Sequence, residues 1–183
     1  MHNFPDLVDR CTGFTLEALR EANEKTINAM QEKASQGLVV TLQMIQLQKA
    51  IFAIGMFSLF EAMLQDALAC GDGFREAADT LNREGETVLK AKFYDLLLAI
   101  NVLKHGRGRS YDELVSRAEH LPFRVKRSGE VLFSEGDVAE VSTLVQVDDE
   151  FVANCAEVIR EVYAVVQRHP QGPTFDVTRR SHS

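Results

Sequence analysis

The stretch ETVLKAKFYDLLLAINVLKH, Glu86 to His105, decides the fold. Leu89, Phe93, Leu96, Ile100 and Leu103 follow one another at steps of four, three, four and three, the spacing of one helix face. That pattern predicts a helix with a core-facing stripe over the whole stretch. Lys90, Tyr94, Asn101 and His105 fall on another face, within about 60° of one another at roughly 100° per residue. Gly106 follows as a C′ stop. Beyond the loop Gly106-Arg107-Gly108-Arg109, Ser110 and Glu113 have the S-x-x-E spacing of a capping box. A short helix to about Glu119, ended before Pro122, is expected there.

The neighbouring segments read the same way. A helix is expected from Thr15 to about Ser35, then a longer one from about Val39 to Ala69, stopped by Cys70-Gly71-Asp72-Gly73. Nearly every position between Ile51 and Phe60 is apolar, which predicts the most deeply buried helix of the molecule. Gly55 within it is either a weak point or a place of close helix approach. A short helix covers Phe74 to Asn82. The texture then changes. Phe123-Arg124-Val125-Lys126 and Glu130-Val131-Leu132-Phe133 flank Arg127-Ser128-Gly129, which predicts a β-hairpin over about 123–134. Residues 138–147 suit an extended segment or a helix equally. Asp148 or Asp149 caps a last helix ending at His169-Pro170, and 169–183 read as a disordered tail. The expected fold is all-α: a four-main-helix bundle, residues 1–168, with a short hairpin inserted before the C-terminal helix.

Composition bounds the function. The 183 residues suit one domain, 45% hydrophobic and 26% charged, with a net charge of −7 and a pI near 5.3. A surface that generally coats nucleic acid or anionic membrane is excluded by that balance. Cys11, Cys70 and Cys155 are far apart and odd in number, so free, mostly buried thiols are expected rather than disulfides or a zinc site. The first ten residues do not form a secretory signal. The most apolar run, Ala50 to Phe60, is eleven residues, against the roughly 20 of a bilayer span. A soluble cytoplasmic protein without a membrane partner is the expectation.

Most familiar chemistry is absent from the sequence. No Glu precedes a His by three positions, as a di-iron bundle requires, and H-E-x-x-H, the P-loop and G-x-S-x-G do not occur. Gly71-Asp72-Gly73 and Gly106-Arg107-Gly108 lack the third glycine and strand-turn-helix setting of a nucleotide loop. No metal and no cofactor is implied.

One local constellation remains. Asn101 and His105 are four apart, so an amide lies beside an imidazole and could orient it. Lys104, Arg107 and Arg109 add positive charge suited to phosphate. Routine cations complementing the negative end of a helix are the plain alternative. The charge distribution favours a site. Lys104 to Arg127 holds seven basic and three acidic residues, a local +4 that leaves −11 for the rest. Phe123 and Phe133 are better placed in a core than on bases.

A helical bundle whose third long helix ends in Asn-x-x-x-His resembles the HEPN superfamily, small all-α domains that are commonly homodimers and often metal-independent endoribonucleases of toxin–antitoxin or phage-defence systems. Asn101 matches the family's polar position and His105 its histidine, and Phe57-Ser58-Leu59-Phe60-Glu61-Ala62 is similar in texture to its second helix. The family arginine would fall at Leu98, Ala99 or Ile100, where no arginine stands. The resemblance implies RNA binding or cleavage, with His105 and Asn101 as catalytic residues and Lys104, Arg107, Arg109 and Tyr94 as substrate-binding residues. It also implies an antitoxin or nucleotidyltransferase-like partner. The alternative is a catalytically inactive dimeric bundle acting as a protein-interaction module.

Overall fold

A computed structural model describes residues 4–33, 35–127, 129–130 and 143–168. Six α-helices follow in order among them: α1 (Phe4–Glu32), α2 (Gln36–Leu68), α3 (Gly73–Arg83), α4 (Thr87–His105), α5 (Arg109–Ser116) and α6 (Asp149–Arg168), with a 3₁₀ turn at Ala118–His120. The all-α bundle expectation holds. α1, α2, α4 and α6 are its long members, and α6 packs against α1, α2, α3 and α4. The expected tail, 169–183, lies outside the described residues.

Helix boundaries follow their caps. α1 starts eleven residues before the expected Thr15, because Pro5 suits a first turn and Val8, Thr12 and Leu16 continue one buried stripe. Ser35 caps α2 by accepting from the Leu38 N–H at 3.4 Å, and Asp72 caps α3 by accepting from the Arg75 N–H at 3.0 Å. Asp148 caps α6, accepting from the Phe151 N–H at 2.9 Å. Asp149 instead meets Lys49 of α2 at 2.8 Å and Arg20 of α1 at 3.9 Å, tying three helices together.

The core centres on Phe57 and Phe60 of α2, Phe74 of α3 and Phe93 of α4, whose ring centroids lie 5.7–6.4 Å apart. Phe4 stacks on Phe60 from α1. Gly73 permits the close approach of α3 to α2. A Cβ there would come within 2.8 Å of the Glu61 carbonyl oxygen. The glycine has a packing role, which accounts for Gly71-Asp72-Gly73 without a nucleotide loop.

The expected hairpin is not supported. Phe123 to Lys126 pairs with the segment before α6, through an antiparallel bridge between Val125 and Val145. The Lys126 N–H donates to the Leu144 carbonyl at 2.8 Å, and the Gln146 N–H to that of Arg124 at 3.0 Å. The alternation of buried Phe123, Val125, Val145 and Val147 explains the choice, since pairing these residues covers the core. Phe123 meets Phe151 edge-on at 5.3 Å, so it is a core residue. Thr143 to Val147 is extended, resolving part of the ambiguity over 138–147, while 131–142, including Phe133, lie outside the described residues.

Two further expectations are corrected. α2 is not buried on every face: Met44, Ile51 and Leu59 are each more than half exposed. Apolar sequence marks what a face prefers, and this chain does not supply a neighbour for all of them. Of the three cysteines only Cys155 is buried; Cys11 is exposed and Cys70 intermediate.

Candidate nucleic-acid interface

The C-terminal half of α4 is buried nearly all round. Leu96, Leu98, Ala99, Ile100 and Val102 all face the core, leaving a narrow polar edge of Tyr94, Asn101, Lys104 and His105. Leu98, Ala99 and Ile100, where the HEPN resemblance would require an arginine, are therefore core positions in this fold. A charge at any of them would be buried. Asn101 and His105 are exposed neighbours on this edge, but no hydrogen bond joins them among the described contacts. Gly106 ends the helix at φ +74°, a conformation that favours glycine, and its N–H donates to the Val102 carbonyl at 2.8 Å.

α5 is clasped to this edge. The Tyr94 hydroxyl donates to Glu113 Oε2 at 3.1 Å, and Arg117 pairs with Asp95 while its guanidinium lies 5.8 Å from the Tyr94 ring centroid. Burial, then the Glu113 hydrogen bond and charge, hold the Tyr94 phenol above its ordinary pKa. The expected Ser110–Glu113 capping box does not form. α5 begins at Arg109 behind the N-cap Gly108, two residues earlier than that box requires and without a side-chain cap, and Glu113 is engaged by Tyr94. The Tyr111 hydroxyl donates to the Lys126 carbonyl at 2.7 Å, anchoring α5 to the extended segment.

These contacts sort the basic island. Arg117 is held by Asp95, Arg127 lies 3.7 Å from Glu119, and Arg124 and Lys126 are also engaged. Lys104, Arg107 and Arg109, within four residues of His105 in the chain, are exposed, with no carboxylate partner among the described residues. Arg107 lies over the Tyr111 ring at 5.7 Å. The usable positive charge of the island is concentrated in the α4–α5 junction.

Beside this junction runs a groove of about 530 Å³ between α2, α3 and α4. Phe57, Phe74, Leu97 and Ile100 give it an apolar wall, and Tyr94, Asn101 and Lys104 reach it from α4. His105, Arg107 and Arg109 do not line it. The structure thus brings three of the six expected site residues to the groove and places the other three at the junction next to it. Sequence reasoning missed Arg75 of α3 and Ser58 and Glu61 of α2, which line the same groove. Their separation in sequence from Asn101 hides this, and only the close α2–α3 approach at Gly73 would have signalled it. No group of three His, Cys, Asp or Glu side chains able to hold a metal occurs among the described residues.

Comparison with protein-family models, with curated protein sequences and with solved structures returns no match.

Proposed function

We propose that this chain is a HEPN-like protein that binds single-stranded RNA at the α4–α5 junction. The observation that carries the reading is the sorting of charge. Lys104, Arg107 and Arg109 stand within four residues of His105, exposed and with no carboxylate partner among the described residues, while Arg117 and Arg127 of the same island are paired. Exposed cations without partners are available to phosphates, and release of the phosphates' counterions drives binding. The adjoining groove, lined by Phe74, Leu97, Tyr94 and Asn101, has the volume and mixed wall to accept one unstacked base. His105 is the acid/base group in reach of a bound strand, able to exchange a proton with a 2′-hydroxyl. Lys104 and Arg75 are the cations that line the groove, and they would offset charge on a phosphate in place of the family arginine.

The test is incubation with mixed-sequence RNA in EDTA, following both binding and cleavage. Salt-sensitive binding is expected. Cleavage that disappears in His105→Ala would establish the catalytic form of the reading, and binding without cleavage a purely binding one. Absence of salt-sensitive binding overturns both.

A further inference from the structure

The groove beside the α4–α5 junction holds a carboxylate that nothing in the described chain satisfies. Glu61 of α2 lines it half-buried, and no hydrogen bond or ion pair reaches its side chain among the described residues. The other acid of the groove is engaged, since Asp72 Oδ1 accepts from the Arg75 N–H at 3.0 Å. Its hydroxyls are engaged as well: Ser58 donates to the Ile54 carbonyl at 2.9 Å, and Tyr94 to Glu113 at 3.1 Å. The polar groups left open to a ligand are the Glu61 carboxylate, the Arg75 guanidinium, the Lys104 ammonium and the Asn101 amide. They come from α2, α3 and α4, so they meet a molecule in the groove from three helices.

These groups restrict the ligand. A carboxylate only accepts, so its partner must present N–H or O–H groups. A half-buried carboxylate without such donors is costly, and a ligand that brings them removes the cost. That ligand is not a cation, because Arg75 and Lys104 stand in the same groove and Arg107 and Arg109 at the junction beside it. It is neutral where it meets Glu61 and anionic toward Lys104. An unstacked base carrying its phosphate meets both conditions, with Phe74 and Leu97 as the apolar wall.

Hydrogen-bond edges then separate the four bases. Guanine sets two donors side by side, N1–H and the N2 amino group, and so matches both oxygens of one carboxylate. Adenine and cytosine place an amino group beside a ring-nitrogen acceptor, which repels the second oxygen, and uracil has one N–H between two carbonyls. Guanine also offers O6 and N7 as paired acceptors for an arginine fork, where adenine has an amino group in place of O6. The N–H donors of Arg75 can serve that edge and a neighbouring phosphate at once.

We infer that the groove is specific for a guanine base. Glu61 accepts from N1–H and the N2 amino group, Arg75 donates to O6 and N7, and Lys104 meets the phosphate. Glu61 and Arg75 set specificity and take no part in catalysis. The inference rests on the RNA reading for the source of the base; a free guanine nucleotide shares the chemistry, and the test separates the two.

Fluorescence anisotropy of the full chain with short oligouridines carrying one central G, A, C or U is the first arm. Wild type should bind the G form at least about tenfold tighter than the other three, as a two-bond base contact provides. Glu61→Gln exchanges one acceptor for a donor, which suits adenine, and should bring the G and A forms within about threefold of each other. Arg75→Ala removes an exposed side chain and should cut the preference for G over A roughly tenfold, so it carries the test if Glu61→Gln does not fold by circular dichroism. Salt-sensitive binding of all four forms with equal affinity overturns the guanine inference and leaves the RNA reading standing. Uniform weakening of all four by Glu61→Gln, with the preference for G retained, overturns the role of Glu61. Equilibrium dialysis against GMP and AMP is the second arm. Selective retention of GMP that Glu61→Gln abolishes, in a chain that binds no RNA, supports the guanine site and overturns the RNA reading. Neither RNA binding nor GMP retention overturns both.

Discussion

α2 and α4 are both more apolar than a single core-facing stripe requires, yet the molecule treats them differently. α4 is enclosed by α2, α3, α5 and α6, and its C-terminal half shows solvent only a polar edge. α2 meets α1, α3, α4 and α6 and still leaves Val40, Met44, Leu47 and Ile51 uncovered. An apolar helix face can be satisfied within the chain or left for another molecule, and amino-acid pattern does not distinguish the two. The consequence differs as well. Enclosure of α4 confines its polar groups to one edge beside the α5 junction, where His105 sits. Exposure of α2 offers a face without charge.

The largest expected effect breaks the comparison if it fails. Phe93→Ala removes a ring that is 1% exposed and touches Phe57, Phe60 and Phe74, and should cost about 3–5 kcal/mol in urea unfolding. Ile51→Ala, measured on dilute protein, should cost less than about 1 kcal/mol, because the side chain is already half in water. Equal costs would show that α2 is enclosed after all.

Two glycines sharpen the same contrast at smaller scale. Gly73→Ala forces a Cβ against the Glu61 carbonyl and should destabilise by about 1–3 kcal/mol. Gly55→Ala meets nothing and should stabilise the dilute monomer by up to about 1 kcal/mol through helix propensity. Thermal melts of the pair against wild type check both signs.

The fold was legible in the sequence to the extent that periodicity controls it. The α4 stripe is buried at Leu89, Phe93, Leu96 and Ile100, as its spacing predicts. What periodicity cannot report is which apolar partner a segment finds. Val125 pairs with Val145 twenty residues away instead of with a near hairpin partner, because the long-range pairing buries both side chains. The start of α1 was hidden because Asp6, Asp9 and Arg10 mask the widely spaced Val8, Thr12 and Leu16. At the candidate site, Asn101, Lys104 and His105 share one exposed edge because helix spacing fixes that. Arg75 and Glu61 come from other helices and depend on packing.

The polar edge of α4 makes a pH prediction. The folded-state pKa of Tyr94 is raised, so protonation favours the native state. That contribution is fully present below the ordinary tyrosine range near 10 and is lost as pH rises through the higher folded value. Tyr94→Phe should flatten the alkaline decline of the urea midpoint, and an unchanged decline would contradict the Tyr94–Glu113 coupling.

The smallest effect compares an exposed cysteine with an enclosed one. Burial holds the Cys155 thiol far above its ordinary pKa, disfavouring the reactive thiolate. A thiol reagent should label exposed Cys11 in the native protein and reach Cys155 only on unfolding. Native labelling of Cys155, read by peptide mass, would show that the α6 core opens.

The claim that the α4–α5 junction holds RNA phosphates is tested most directly by the slope of log Kd against log salt for a single-stranded RNA. Lys104, Arg107 and Arg109 acting together predict that the slope shrinks by about 2 in magnitude when all three become alanine, at roughly 0.7 per phosphate contact. An unchanged slope in a folded triple variant would place the RNA elsewhere and contradict the account.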